Sequence, residues 1–237
     1  MVQTDRHPRI IVAEIAVKKI DHALRQKTGF RMSLNKQQQR ELIQNLNSAI
    51  QQLKYSFLPE EELASSTPAQ EIQTMGEKLY QSVKASYHGR SEAGKTIKPT
   101  VHELTVVWGA KILRDLPRRL NEPFRPTIES GIDMQVVGLR NVSKDPMPGT
   151  NLYLTRVYNG EETFTVVTNI PHLKPGMRVG AAFLPPAEVG GEVSEAMFLG
   201  DHEYPEEVEY GTPIYDGAEF GEVRNILKQE FMKKSKK

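Results

Sequence analysis

The apolar positions of the chain change their spacing near residue 125. Before it they recur every three or four residues, the period of a helix with one buried face. Val12, Ala16, Ile20 and Leu24 form the first such stripe, up to Gly29, which can close a helix in the left-handed conformation that other residues resist. Ser33 stands as an N-cap ahead of Leu42, Leu46, Ile50 and Leu53, and Pro59 ends that run. Thr67-Pro-Ala-Gln70 has the spacing of a capping box with proline at the first helical position, and Ile72, Met75, Leu79 and Val83 follow it. A fourth stripe, Val101, Leu104, Trp108, Ile112 and Leu116, runs to Pro117. Amphipathic helices joined by short connections predict an antiparallel bundle over residues 1–125.

Beyond Pro123-Phe-Arg-Pro126 the apolar runs shorten and fill with Val, Tyr, Thr and Phe: IDMQVVGLRNV, NLYLTRVY, ETFTVVT, MRVGAAFL and EVSEAMFL. Short β-prone runs separated by Gly, Pro and Asn predict the strands of a small barrel or sandwich over residues 130–200. Tyr158-Asn-Gly160 marks a hairpin between two of them, because Asn and Gly tolerate the positive φ of tight turns. Residues 201–237 then read as an acidic loop, an amphipathic helix and a basic tail. Asp201, Glu203, Glu206, Glu207 and Glu209 crowd into a segment expected to be solvated. Phe220 to Met232 forms the helix, and Lys233-Lys-Ser-Lys-Lys237 the tail.

Charge and composition narrow the function. Residues 1–130 carry 20 Lys/Arg against 14 Asp/Glu, and residues 131–237 carry 11 against 16, so a net charge of +1 conceals a basic helical half and an acidic β half. The absence of cysteine excludes a disulfide framework, a thiolate zinc site and a cysteine nucleophile together. No apolar run approaches the roughly 20 residues of a membrane span. Met1 to Ile20 mixes charge with aliphatics, unlike a signal peptide. The expectation is a cytoplasmic protein with no membrane partner.

The motifs that suggest chemistry fail on context. Gly89-Arg-Ser-Glu-Ala-Gly-Lys-Thr96 satisfies the phosphate-loop spacing G-x-x-x-x-G-K-[ST], but such a loop needs a strand before it and a helix starting at its Lys-Thr. Here the end of a helix precedes it, and Pro99 follows too closely for a helix to extend. Ser33-Leu-Asn-Lys36 spells S-x-x-K without its companion motifs and is explained as a helix cap. His102-Glu103 begins H-E-x-x-H, yet position 106 is Val. No catalytic constellation, metal set or cofactor site is expected.

Three blocks in the β half point elsewhere. Asn151-Leu-Tyr-Leu-Thr-Arg-Val-Tyr-Asn-Gly160 is similar to K-L-Y-x-x-x-V-x-x-G. Thr165-Val-Val-Thr-Asn-Ile-Pro-His-Leu-Lys-Pro-Gly-Met-Arg-Val179 is similar to I-V-x-G-A-P-N-V-x-x-G-x-x-V. Ser194-Glu-Ala-Met197 is similar to S-x-G-M, with Ala196 in place of Gly. In this order they resemble the EMAP-type tRNA-binding domain, the oligonucleotide-binding barrel appended to methionyl- and bacterial phenylalanyl-tRNA synthetases. Archaeal RNA-binding proteins that carry such a domain at their C-terminal end have the same layout.

The resemblance implies an α+β multidomain protein: an N-terminal all-α helical bundle followed by a C-terminal five-stranded OB-fold β-barrel. It also implies non-catalytic recognition of tRNA or another structured RNA, on the face of strands two and three where rings stack on bases and cations meet phosphates. Arg156 stands where family members often have Lys, and Arg140, Lys174 and Arg178 are the other candidate phosphate contacts. Asn169, Ser194 and Met197 occupy family motif positions. Tyr153 is a candidate stacking ring, although it and Phe164 serve equally well as core. Alternation along the strand puts Tyr153 and Arg156 on opposite faces unless the strand bulges.

Residues 133–200 contain only 5 Lys/Arg against 7 Asp/Glu, and backbone binding draws on basic surface. Any further attraction falls to Lys18, Lys19, Arg25, Lys27 and Arg31, or to Arg114, Arg118 and Arg119, which otherwise form wet helix faces. Two alternatives stay open: an interaction module that dimerises or docks on an aminoacyl-tRNA synthetase, and a nucleotide-binding protein using Lys95 and Thr96.

Overall fold

The computed structural model describes residues 4–26, 32–87, 91–92, 95–96, 98–215 and 220–232, and the chain divides between Gly131 and Ile132 into two compact units. The first unit contains α1 (Pro8–Arg25), α2 (Lys36–Lys54), the short α3 (Glu60–Leu63), α4 (Thr67–Tyr87), α5 (Val101–Arg114) and the short α6 (Leu116–Leu120). The long helices close a ring, α1 on α2, α2 on α4, α4 on α5 and α5 back on α1. Their apolar stripes meet inside it. Ile20, Leu46, Ile50, Leu53, Ile72, Leu79 and Leu113 are almost wholly removed from solvent, each contributing about 1.5–3 kcal/mol of transfer free energy. Gly76 lets α4 and α5 approach: a Cβ built there would stand 2.5 Å from Arg114 N.

Helix starts follow reciprocal bonding more than residue type. The N-cap of α2 is Asn35 and not Ser33. Asn35 Oδ1 accepts from Gln38 N at 2.9 Å, and Gln38 Oε1 accepts from Asn35 N at 2.9 Å. Ser33 has Lys36 three residues on, which cannot return such a bond. The box expected at Thr67 does not close either, because Thr67 is already the first residue of α4 and Gln70 N donates to Ser66 O at 3.1 Å. A box at Thr100 does close: its Oγ1 accepts from Glu103 N at 3.2 Å, and Glu103 Oε2 accepts from Thr100 N at 2.8 Å. The helix α1 ends at Arg25, and Gly29 lies outside the described residues.

The described residues of the phosphate-loop motif form a two-stranded pair. β1 (Ser91–Glu92) runs antiparallel to β2 (Lys95–Thr96), with Glu92 opposite Lys95. Lys95 and Thr96 are therefore in a strand, where a phosphate loop would begin a helix. Gly89 and Gly94 lie outside the described residues.

The second unit holds β3 (Met134–Val142), β4 (Tyr153–Tyr158), β5 (Thr163–Thr168), β6 (Arg178–Ala182), β7 (Ala187–Val189), β8 (Glu192–Ser194), β9 (Met197–Glu203) and α7 (Phe220–Met232). Five strands form one antiparallel sheet in the order β5-β4-β3-β6-β9. Alternation sends Val137, Leu139, Val157, Phe164, Val166, Val179 and Ala181 to its inner face, where Leu173, Phe183 and Phe198 complete the core. The sheet curls until the chain before β9 reaches the edge strand β5. There Glu195 N donates to Thr165 O at 2.9 Å, and Ser194 Oγ accepts from Val167 N at 3.0 Å.

Two local expectations change in detail. The run EVSEAMFL is broken into β8 and β9, and β8 pairs with β7 through Gly190-Gly191, both at positive φ (61° and 85°), as a two-residue hairpin loop requires. The hairpin at Tyr158 has a longer loop than the Asn-Gly pair suggests. Tyr158 lies opposite Thr163, and Asn159 Oδ1 accepts from Glu161 N and Glu162 N between them.

The acidic segment is where expectation and structure part. β9 continues past Gly200 to Glu203, and residues Tyr204–Ile214 then cross back over the sheet as a strap. Tyr204 N donates to Arg178 O at 2.7 Å on the β9 side of β6. At the other end, Gly211 N donates to Val136 O at 2.8 Å, Val136 N to Thr212 O at 2.9 Å and Ile214 N to Met134 O at 2.8 Å. β4 pairs with β3 only from Gly138 onward, so Met134 to Val136 offer the strap a free edge. Its glutamates are solvated as expected, but its backbone belongs to the sheet.

Candidate nucleic-acid interface

The outer face of the sheet is built by a bulge. Leu139 lies opposite Val157 and Asn141 opposite Arg156, which leaves Arg140 as an extra residue in β3. A bulge re-aims the side chain it inserts. Arg140 is exposed, with its guanidinium 4.5 Å from the centroid of the Tyr158 ring. Arg156 is exposed on the same outer face, since Thr155 and Val157 on either side of it are buried inward.

A second cation–ring pair lies beside the first. The ring of Tyr210, from the strap, meets Tyr158 edge to face with centroids 6.0 Å apart, and the Arg178 guanidinium lies 4.4 Å from the Tyr210 centroid. Arg178 Nη1 also donates to the Val208 carbonyl. Arg178 is thus half-buried and committed to the strap, whereas Arg140 and Arg156 face solvent.

The remaining candidates divide by environment. Gly176 N donates to Leu139 O at 2.8 Å and Leu139 N to Met177 O at 2.9 Å, which fastens the turn Lys174–Met177 to the bulged stretch with Lys174 exposed. Asn169 is exposed just after β5. Tyr153 is half-buried and lies on the inner face with Thr155 and Val157, opposite to Arg156. Met197 is half-buried at the start of β9, opposite Ala182. Ser194 is buried: its hydroxyl accepts from Val167 N and donates to Ala196 O at 2.9 Å, and so joins the sheet edges. Phe164 is core, 4.7 Å from Phe183 between ring centroids.

Tyr158 and Tyr210 were not singled out by sequence. The available signal was Gly138 in the middle of β3, since a glycine within a strand often marks a close approach. A Cβ there would come within 2.6 Å of the Tyr210 ring.

A family model described as an alpha helical domain matches residues 1–121. The chain belongs to this family. No curated protein matches. Solved structures that resemble the chain include a MetRS-related protein from Pyrococcus horikoshii, at 23% identity over 35% of this chain and 90% of that one, with a TM-score of 0.33. The chaperone CsaA from Bacillus anthracis shares 19% identity over 35% of this chain and 91% of that one, with a TM-score of 0.32.

In the alpha helical domain, the basic residues nominated for RNA are largely engaged within the fold. Lys18 pairs with Glu14, Arg25 with Asp21 at 2.7 Å and Arg118 with Glu122 at 2.8 Å, each one helical turn away. Arg114 pairs with Asp115 at 2.7 Å, which raises its pKa further, and Arg119 is buried. Lys27 and Arg31 lie outside the described residues. An open groove of about 540 Å³ between α2 and α4 is lined by amides and hydroxyls, among them Asn45, Gln52 and Thr74. Among the described residues of this domain, the exposed large hydrophobic side chains are Tyr55 and Phe57, 54% and 73% accessible. Among the described residues, no helix is long and apolar enough to cross a membrane, and no three acidic or histidine side chains are placed to hold a metal.

Proposed function

We propose that the second unit is an OB-fold module of EMAP type that binds tRNA or another structured RNA, without chemistry, across the outer face of β3, β4 and β5. Arg140 carries this reading: a bulge presents its guanidinium over the Tyr158 ring on an exposed side chain, with Arg156 exposed on the same face. Guanidinium planes and rings are what unstacked bases stack on, and the two charges suit the flanking phosphates. The resemblance of Asn151–Gly160 and Thr165–Val179 to the EMAP blocks supports the same face, with Lys174 and Asn169 at its margin. The reading assigns the protein to the cytoplasm, beside the translation apparatus, in the manner of archaeal proteins of this layout.

Filter binding of bulk tRNA at two salt concentrations tests it. Binding is expected at low salt and weakens as salt rises, and the double variant Arg140→Ala/Arg156→Ala loses about tenfold or more, each lost phosphate contact flattening the log–log salt slope by about 0.7–0.9. Absence of binding even at low salt would favour the second reading, a protein-interaction module. That alternative has its own support in Tyr55 and Phe57, aromatic side chains left in solvent on the helical unit.

A further inference from the structure

We propose that the strap Tyr204–Ile214 is an intramolecular competitor of the RNA, seated by Tyr210 and clamped by Arg178, and that bound RNA lifts its crossing segment off the sheet. The inference rests on the RNA-binding reading above and adds a regulation to that face.

The seat is built into the strands. Gly138 and Gly180 interrupt β3 and β6 at positions where strand formers are favoured, and each leaves room for a strap residue. A Cβ on Gly138 would meet the Tyr210 ring at 2.6 Å, and one on Gly180 would meet Ile214 at 2.9 Å. Gly160 in the β4–β5 loop is likewise close to Tyr210 O, 3.2 Å from a built Cβ. Into this seat the strap puts a ring where a base would stack, against Tyr158, and occupies Arg178 through the Val208 carbonyl and the Tyr210 face. It also brings the exposed carboxylates of Glu206, Glu207 and Glu209 to the face that an incoming phosphate chain must approach. A ring and a row of anions on an arginine-bearing surface imitate the ligand that the surface is proposed to bind.

The strap has slack to move. Its ends are fixed by Tyr204 N on Arg178 O and Gly211 N on Val136 O. Seven residue steps between them reach about 24 Å when extended, whereas crossing three strand spacings takes about 14 Å. The crossing segment can therefore rise while both ends stay bonded. Lifting it uncovers Arg178, adds a third arginine to Arg140 and Arg156, and carries the glutamates away.

The test measures tRNA affinity against salt for the full chain and for Gly138→Ala, which pushes Tyr210 from its seat without changing charge. Gly138→Ala is expected to bind about fivefold or more tightly with an unchanged log–log salt slope, because RNA frees Arg178 in both proteins and only the cost of lifting the strap differs. Adding Arg178→Ala to that background should flatten the slope by about 0.7–0.9 relative to wild type. Tyr210→Ser serves as the second release variant, and circular dichroism confirms that each variant is folded. If wild type binds and folded release variants bind no better, the strap is merely structural and this inference falls while the RNA reading stands. If neither wild type nor any release variant binds at the lowest salt, the RNA reading falls and takes this one with it. Binding by the release variants alone supports both.

Discussion

Arg178 stacks on Tyr210 at 4.4 Å while its Nη1 donates to the carbonyl of Val208, two residues earlier in the strap. One planar group thus grips both the ring and the backbone of the same segment. Lysine keeps the charge but has neither the plane nor the fork. Both Arg178→Lys and Arg178→Ala are therefore expected to lower the stability of the second unit, by about 1–2 kcal/mol, the scale of a partly buried charged hydrogen bond and a cation–ring contact. Chemical denaturation followed by tyrosine fluorescence measures this. A lysine variant as stable as wild type would show that charge alone holds the strap.

The bundle and most strands were legible in the sequence because each is governed by a period. Ile72 and Leu79, or Val137 and Leu139, are spaced so that a helix or a strand brings them to one side, and burial follows. The strap has no such period. It is held by backbone bonds, one ring and one guanidinium, so Glu206, Glu207 and Glu209 advertised a solvated loop while Tyr210 did the anchoring. The candidate site was legible in part for the same reason. Strand alternation separated Tyr153 from Arg156, but a bulge is a shift in register between two strands, and nothing local to Arg140 announces it. A motif position such as Ser194, whose hydroxyl bonds the β5 edge, records that a residue type is needed without saying whether a ligand or a neighbouring strand needs it.

Glycines in helices give opposite signs according to their surroundings. Replacing Gly by Ala in an open helix gains about 1 kcal/mol. Gly221 of α7 is exposed, with nothing near a built Cβ, so Gly221→Ala should stabilise, by less than that amount because it sits near the helix start. Gly76→Ala has the same propensity gain but forces a methyl to within 2.5 Å of Arg114 N and 2.9 Å of Leu113 Cβ. The clash is with backbone, which cannot swing away, so a net loss of about 1–3 kcal/mol is expected. Equal Tm shifts of the same sign in the two variants would contradict this packing of α4 on α5.

Phe57 combines two costs. Its backbone is left-handed, φ 54°, and its side chain is 73% exposed. The left-handed region costs a residue with a Cβ about 1–2 kcal/mol, and glycine gives back part of that through its freer unfolded chain. Phe57→Gly is expected to stabilise the helical unit by about 0.5–1 kcal/mol, since little burial is lost. A destabilised variant would mean that the ring packs in solution on something that this conformation leaves uncovered.

The helical unit should lose stability in acid in two stages. His7 caps α1, its Nδ1 accepting from Arg9 N at 3.3 Å, and burial together with the charge of Arg9 lowers its pKa to about 4. A histidine free in the unfolded chain titrates near 6.5, so below that pH the unfolded state takes up a proton that the folded state refuses. Stability is full above pH 6.5 and falls as the pH drops toward 4, by on the order of 3 kcal/mol. Glu14 takes over lower down. Burial raises its pKa, but the ammonium groups of Lys18 and Lys54 outweigh that and hold it at about 2. Its contribution is present above the ordinary carboxylate range and is lost as the pH falls from there to 2. Asparagine at position 7 can cap the helix but cannot titrate. His7→Asn should therefore flatten the stability profile between pH 6.5 and 4 and leave the lower stage intact, while Glu14→Gln does the reverse. Urea denaturation at half-unit pH steps reads both stages, and a His7→Asn profile parallel to wild type across the upper window would show that the ring is not buried neutral.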